Sequence, residues 1–389
     1  MSIKHGKIGE FAKRVKVGFV GTCEKYYTED KRYPMIRTTN LTETGIDYSD
    51  LKYVTEEFYD KNKKSQLHDG DVLIARFGTS GTACVYHGGD AQCLNAIIVE
   101  PDIETTIPEY LAIVVNSRSV RDQVNKRIVG STQAILNTKV LSDIEISLPS
   151  LEEQRKVVEI FQSLQKICIQ RNKELLTLDN LIKARFVELF GDVITNDRGW
   201  AQQIFENITE SRLGKMLDAK KQTGEHAYPY LANFNVQWFT FNTDNLNEMD
   251  FDEKDRKEFE LQEGDLLVCE GGEIGRCAIW HNEIQPCYFQ KALHRVRCKK
   301  EYVIPEYLAW WFKYNCEHGG FSAIEGAKAT ISHLPGAKLK KLNVTVPEMK
   351  RQEEFAVFID QVDKSKAAVQ KSLDETQKLF DSLMQGYFG

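Results

Sequence analysis

Paired cysteines, long apolar runs and an excess of basic charge are all missing from this 389-residue chain. Its nine cysteines show no CxxC spacing, which argues against a zinc ribbon or a disulfide framework and favours a reduced, cytoplasmic setting. No apolar run approaches the length of a membrane span, and Met1-Ser2-Ile3-Lys4-His5 lacks the features of a signal peptide. The net charge of −6 argues against a protein that grips nucleic acid by bulk electrostatics. Residues 1–150 carry 19 basic and 20 acidic side chains, and residues 192–349 carry 19 and 24. Any nucleic-acid surface must therefore be a local stripe. Clusters such as Lys61-Lys63-Lys64, Arg118 to Arg127 and Arg295-Arg297-Lys299-Lys300 could supply one, and solvated surface accounts for them equally well.

Catalytic signatures are missing too. Methyl transfer to an adenine amine needs a glycine-rich strand-to-helix turn for the donor and a Pro-Pro-aromatic loop to grip the flipped base. Gly18-Phe19-Val20-Gly21 follows no convincing strand, and no such Pro-Pro loop occurs. There is no GxxxxGK[ST] phosphate loop, which excludes that class of motor. Pro101-Asp102 lacks the acid-x-lysine that would make a metal nuclease. His87 and His281 each precede a cysteine by six residues, which is not a common zinc spacing. The glycines at 78 and 81, and at 272 and 275, read as hairpin turns between strand-like runs. The expectation is a non-catalytic chain with no metal and no cofactor of its own.

Proline is absent from 151–190 and from 349–388, and this absence is informative. Leu164, Ile167, Leu175, Leu178, Ile182, Phe186 and Leu189 recur in steps of three, four or their sums. Val362, Val369, Leu373, Phe380, Leu383 and Tyr387 do the same. Each segment predicts a long amphipathic helix with a narrow apolar stripe. About 39 residues at roughly 1.5 Å each give on the order of 58 Å. Such a stripe needs a partner, and the other copy is the obvious one. An antiparallel pair would return the chain end to the first globule.

What is present is duplication. Gly70-Asp71, Leu73, Gly78, Gly81, His87 and Cys93 recur as Gly264-Asp265, Leu267, Gly272, Gly275, His281 and Cys287. Pro108-Glu109-Tyr110-Leu111-Ala112 returns as Pro305-Glu306-Tyr307-Leu308-Ala309, and Gln154 and Phe190-Gly191 return as Gln352 and Phe388-Gly389. The repeat is too long for a solenoid unit. It predicts α+β domains over 1–149 and 192–347, with helices over 150–191 and 348–389. Strands are expected at 72–75, 96–99, 144–146, 266–269 and 342–346, and helices after Pro108 and Pro305. Identity between the copies is low, 7 of 25 positions over 69–93 against 263–287, so two related surfaces have diverged.

This arrangement resembles the specificity subunits of type I restriction-modification systems. Tyr33 to Leu41 looks like the family's opening strand of a target recognition domain. Gly70-Asp71-Val72-Leu73-Ile74 with Gly78 and Gly81 resembles its glycine-aspartate segment, as does Gly264 to Arg276. Leu148 to Gln154 is similar to the start of its long helix, and Phe186 to Gly191 followed by Trp200 to its junction. The second copy departs at Pro347-Glu348-Met349-Lys350-Arg351-Gln352, which lacks the Glu before Gln.

The resemblance implies two pseudo-symmetric target recognition domains joined by two long helices packed as an antiparallel coiled coil. Each domain would read one half of a bipartite, asymmetric double-stranded DNA target. The helices would set the spacer, with about 17 base pairs as an upper bound at roughly 3.4 Å each. Two methyltransferase subunits would bring S-adenosylmethionine, and motor-nuclease subunits would complete the complex. The helix-helix seam is expected at Leu164, Leu175, Leu178, Ile182, Leu189, Val362, Val369, Leu373, Phe380 and Leu383. Base readout favours Arg, Gln, Ser and Thr on loops that end strands. The candidates are Arg76, Thr79, Ser80, Ser131, Thr132 and Gln133, with Glu270, Lys328, Thr330 and Ser332 in like places. Lys126, Arg127, Lys220 and Lys221 are phosphate candidates. Two other readings stand beside this one: a helical scaffold with no nucleic-acid role, and an autonomous DNA methyltransferase.

Overall fold

The computed structural model describes residues 3–76, 81–128, 135–218, 222–322 and 333–389. The chain divides into two compact units, Met1–Glu174 with Val369–Gly389, and Leu175–Ala368. Both units are built to one plan. In the first, a four-stranded antiparallel sheet runs in the order Ala12–Val17, Ala96–Pro101, Val72–Ala75, Ala83–Val85. A second sheet places Tyr33–Arg37 between Lys52–Val54 and Ala91–Leu94, with Gln66–Leu67 outside. Its Tyr33–Arg37 and Ala91–Leu94 strands are parallel. In the second unit the antiparallel sheet runs Thr209–Leu213, Leu293–Cys298, Leu266–Cys269, Cys277–Ile279. There the parallel pair is Ala227–Leu231 with Tyr288–Phe289.

Local chemistry explains why particular residues recur. Gly70 and Gly264 sit at φ +86° and +84°, a left-handed backbone that favours glycine. The Asp that follows is buried in both units. Asp71 Oδ2 accepts from the His68 amide at 2.8 Å, and Asp265 Oδ2 from the Gln262 amide at 2.9 Å. Gly18 and Gly214 answer a different need. A Cβ there would meet the Cys93 carbonyl oxygen at 2.6 Å or collide with the Gln290 carbonyl oxygen. Contrary to the sequence expectation, Gly18-Phe19-Val20-Gly21 does follow a strand, Ala12–Val17. It continues into a bridge between Phe19 and Leu94 rather than into a helix.

The two long helices span Leu151–Phe190 and Met349–Phe388. In the second unit Asp179 pairs with Lys366 at 2.8 Å and, further along the first helix, Arg185 pairs with Glu354. One number rises as the other falls, so the helices run antiparallel. Phe186 and Phe190 pack on Phe355, each with ring centroids 5.4 Å apart. In the first unit Phe161 packs edge-on against Phe380 at 5.0 Å. Of the expected seam residues, Leu164, Ile182, Leu189 and Val362 are buried, and Leu175, Leu178, Val369, Leu373, Phe380 and Leu383 are half-buried. Ile167 instead turns outward, 41% exposed. Cys168 and Arg171 take the inner face of that stretch, and Arg171 keeps its charge satisfied through Glu174 at 2.7 Å.

Each helix is also locked to a globule. Gln154, fully buried, accepts from the Ile107 amide at 2.9 Å and donates to the Thr105 and Pro149 carbonyls. Gln352 repeats the clasp on Ile304, Tyr302 and Pro347. Only the first helix opens with a reciprocal Ser150–Glu153 capping box. The second has Arg351 at that place, yet its Gln clasp is intact. At their far ends, Phe388 packs against Tyr110 in the first unit and Phe190 against Tyr307 in the second, at 5.7 and 4.8 Å. The same pocket in each globule is thus filled by a helix of the other repeat.

Candidate nucleic-acid interface

In each unit, residues close to the stretches that hold the expected readers meet at the end of an inner strand of the antiparallel sheet. In the first unit Arg76 ends the strand Val72–Ala75. Its Nε donates to the Leu136 carbonyl at 3.1 Å, and the Leu136 amide donates to the Arg76 carbonyl at 3.2 Å. Thr79, Ser80, Ser131, Thr132 and Gln133 lie outside the described residues. Arg76, which borders the first of these stretches, touches Leu136, two residues past the end of the second. Arg76 thereby acts at least as a lace between two loops.

The second unit repeats the lace with different side chains. Glu270 accepts on its carbonyl from the Leu334 amide at 2.6 Å, and its own amide donates to the Ala292 carbonyl at 2.9 Å. Gly271 forms a bridge with His333. Lys328, Thr330 and Ser332 lie outside the described residues, as do Lys220 and Lys221. His294, buried beneath, donates to the Leu334 carbonyl at 3.0 Å. Burial pushes its imidazole pKa down, which keeps it neutral near pH 7. Beside Lys220 and Lys221 in sequence, the amides of Thr223, Gly224 and His226 all donate to the Asp250 carboxylate. Those bonds, the Thr223 and Gly224 amides foremost, hold its pKa at about 2.

Lys126 and Arg127 are exposed in the last turn of the helix Arg118–Ile128. Arg127 donates to Gln123 Oε1 at 3.2 Å. Cations are stabilised at a helix C-terminus by its dipole, so the same two side chains serve the helix whether or not a phosphate is near. The repeated histidines are surface groups held by carboxylates. His87 Nδ1 lies 3.2 Å from Asp69, and His281 Nδ1 2.9 Å from Glu263. Cys93 and Cys287 are buried, and burial pushes both thiols up to about 12. Among the described residues no group of three His, Cys, Asp or Glu is placed to hold a metal ion.

Two features escaped the sequence reading. A three-residue turn closes on a buried asparagine in each unit, at Thr38–Asn40 and Asn233–Asn235. Asn40 Oδ1 accepts from the Arg37 amide at 3.0 Å and Nδ2 donates to the Asp47 carbonyl at 3.1 Å. Asn235 makes the same bonds to Ala232 and Asn242, both at 2.9 Å. The available signal was Tyr33-Pro34 with Asn40 against Tyr228-Pro229 with Asn235, at a constant offset. Each unit also has a groove between its helix pair and its Pro-Glu-Tyr-Leu-Ala helix, of about 730 and 810 Å³. Glu109 and Ala112 line the first where Glu306 and Ala309 line the second.

Compared with known proteins, residues 6–178 and 200–376 each match the family model of the type I restriction modification DNA specificity domain. The chain belongs to that family. A Methanocaldococcus jannaschii protein named as the MjaX type I restriction enzyme specificity subunit is 25% identical over 199 residues. That match covers 49% of this chain and 46% of the relative. The Escherichia coli EcoBI specificity subunit is 25% identical over 170 residues, 41% of this chain and 35% of its own length. The matched stretches thus span less than half of either relative. Among solved structures, the type I S subunit from M. genitalium shares the fold with a TM-score of 0.59 at 12% identity, covering 100% of this chain and 96% of that one. A chain from a structure of type I complex assembly and conformational transition gives 0.59 at 14%, covering 99% and 97%. In this specificity-family chain the duplicated match coincides with the duplicated architecture described above. No helix among the described residues is long and apolar enough to cross a membrane.

Proposed function

We propose that this chain is the DNA-reading, non-catalytic subunit of a cytoplasmic type I methyltransferase complex, with each domain reading one half of a bipartite asymmetric target. The carrying observation is the loop edge built twice on one backbone plan, Arg76 laced to Leu136 and Glu270 laced to Leu334, with unlike side chains at equivalent places. Two unlike readers on equivalent frames suit two unlike half-sites. Two copies of one methyltransferase would need two equivalent surfaces, and the paired grooves beside the helices offer them. S-adenosylmethionine and the transfer chemistry belong in this reading to the methyltransferase subunits, and DNA cleavage to motor-nuclease subunits. Those partners also supply phosphate contacts that a chain of net charge −6 does not provide in bulk.

The helices set the spacer in this reading. Mapping methylated adenines in cells with and without the gene tests the assignment: a spaced sequence should lose its mark when the gene is removed. Inserting four residues, about one helical turn, near Arg171 should change the spacer and leave both half-sites intact. Unchanged spacing with full activity would refute the ruler.

A further inference from the structure

We propose that Thr39 and Phe234, the outward-facing middle residues of the two asparagine-closed turns, are specificity-determining residues, and that Phe234 reads a thymine through its methyl group. This deepens, and rests on, the DNA-reading assignment above. Both turns have one construction. A buried asparagine accepts from the backbone amide three residues before it and donates to a carbonyl seven residues after it. With both ends of the asparagine amide bonded, the turn cannot rotate its middle residue inward. Thr39 is exposed, and Phe234 is 59% exposed.

A single exposed aromatic is ordinary on a protein surface. What sets Phe234 apart is how firmly the backbone beneath it is held and what it is held to. Asn233 Nδ2 donates to the Gly271 carbonyl at 3.2 Å, the Arg276 guanidinium donates to the Asn233 carbonyl at 3.1 Å, and Gln237 Nε2 donates to the Phe234 carbonyl at 3.2 Å. Gly271 is the residue that bridges His333 beside Glu270, so the turn is fastened to the loop edge of its own unit. In the first unit Thr38 Oγ1 donates to the Asn95 carbonyl at 2.9 Å, and Asn95 precedes the Ala96 that pairs with Ala75 beside Arg76. The turn thus stands at the same end of the same sheet.

The chemistry at the two tips differs sharply. A threonine presents a hydroxyl that donates or accepts and a small methyl, which discriminates loosely. A phenyl ring makes no hydrogen bond to a base edge, so in the major groove its discriminating contact is with the thymine 5-methyl. The clamp is made by asparagine and backbone, so the tip can change without disturbing the frame. That is the property a diverged pair of readers needs.

The test uses the full chain assembled with its methyltransferase subunits, acting on a library of duplexes randomised at the target. Phe234→Ala and Phe234→Thr should relax or change the preference at one position of the half-site read by the second domain, on the order of ten-fold. Phe234→Leu, still apolar, should retain most of it, and Thr39→Phe should alter only the other half-site. Replacing thymine by uracil at that position should cost the wild type a similar factor and cost Phe234→Ala nothing. Profiles of Phe234→Ala and Phe234→Thr identical to wild type would overturn the proposal while leaving the DNA-reading assignment standing. Loss of complex assembly with an unchanged profile would also overturn it, because Phe234 would then contact a protein subunit. A wild-type complex without any sequence preference would overturn the DNA-reading assignment itself.

Discussion

Replacing Gln352 with methionine keeps the length and the unbranched shape of a side chain that is fully buried. It removes three hydrogen bonds: from the Ile304 amide at 3.1 Å, to the Tyr302 carbonyl at 2.9 Å and to the Pro347 carbonyl at 2.8 Å. A buried donor left without a partner costs about 1–3 kcal/mol. The carbonyl of exposed Tyr302 can turn to water, so its share is small. Together the loss should be about 2–4 kcal/mol, local to the junction between the helix start and the Pro305–Glu317 helix. A chain with two units does not unfold as one step, so hydrogen exchange at single amides is the suitable assay. Protection of the Ile304 amide should fall by roughly 30- to 700-fold, with Ile107 unchanged. Gln154→Met should give the mirror result, at Ile107 and not Ile304. A fall of less than about three-fold, or one shared equally by both amides, would show that the glutamines do not hold the helices to the globules.

Phe355→Ala removes a fully buried ring that touches Phe186, Phe190 and Trp310. It should cost about 3–5 kcal/mol, seen as loss of the second unit's melting transition before the first. Gly214→Ala would drive a Cβ into the Gln290 carbonyl and should lower the second unit's melting temperature. Gly386→Ala meets nothing within 4 Å inside a helix and should stabilise by about 0.5–1 kcal/mol. Asp250, held at about 2 by backbone donors, contributes stability that is complete above the ordinary carboxylate range and is lost as pH falls through about 2. Protection of the Thr223, Gly224 and His226 amides, measured against their intrinsic exchange rates at each pH, should therefore fall on acidification. Asp250→Asn should remove most of that pH dependence.

The long helices were legible because forty residues of unbroken period leave few alternatives, and their bounds match the proline-free segments. The inside of the seam was less so. Reading apolar residues alone placed Ile167 inward, while Cys168 and Arg171 lie there, because a long cation can bury its stem and keep its charge paired. The hairpins were legible from duplicated glycines. Gly18 was misread because its role is a close approach to the Cys93 carbonyl, a contact between segments that no local pattern encodes. The candidate readers were placed on loops because they follow strand-like runs, and what the fold adds is contact between residues near those stretches, Arg76 with Leu136 and Glu270 with Leu334. The asparagine-closed turns were passed over because Tyr-Pro and one asparagine are too common to stand out without the fold.

The ring of Phe388 seated on Tyr110 has a consequence for how the protein is born. Translation delivers Tyr110 long before Phe388, so the earlier globule must wait, its hydrophobic socket open to water, while the later one can already close around Phe190. Local contacts form first and distant ones are delayed by loop-closure entropy. The portion made first is therefore completed last, and a ribosome stalled before Phe388 would leave a molecule whose second globule is sound and whose first is unsealed.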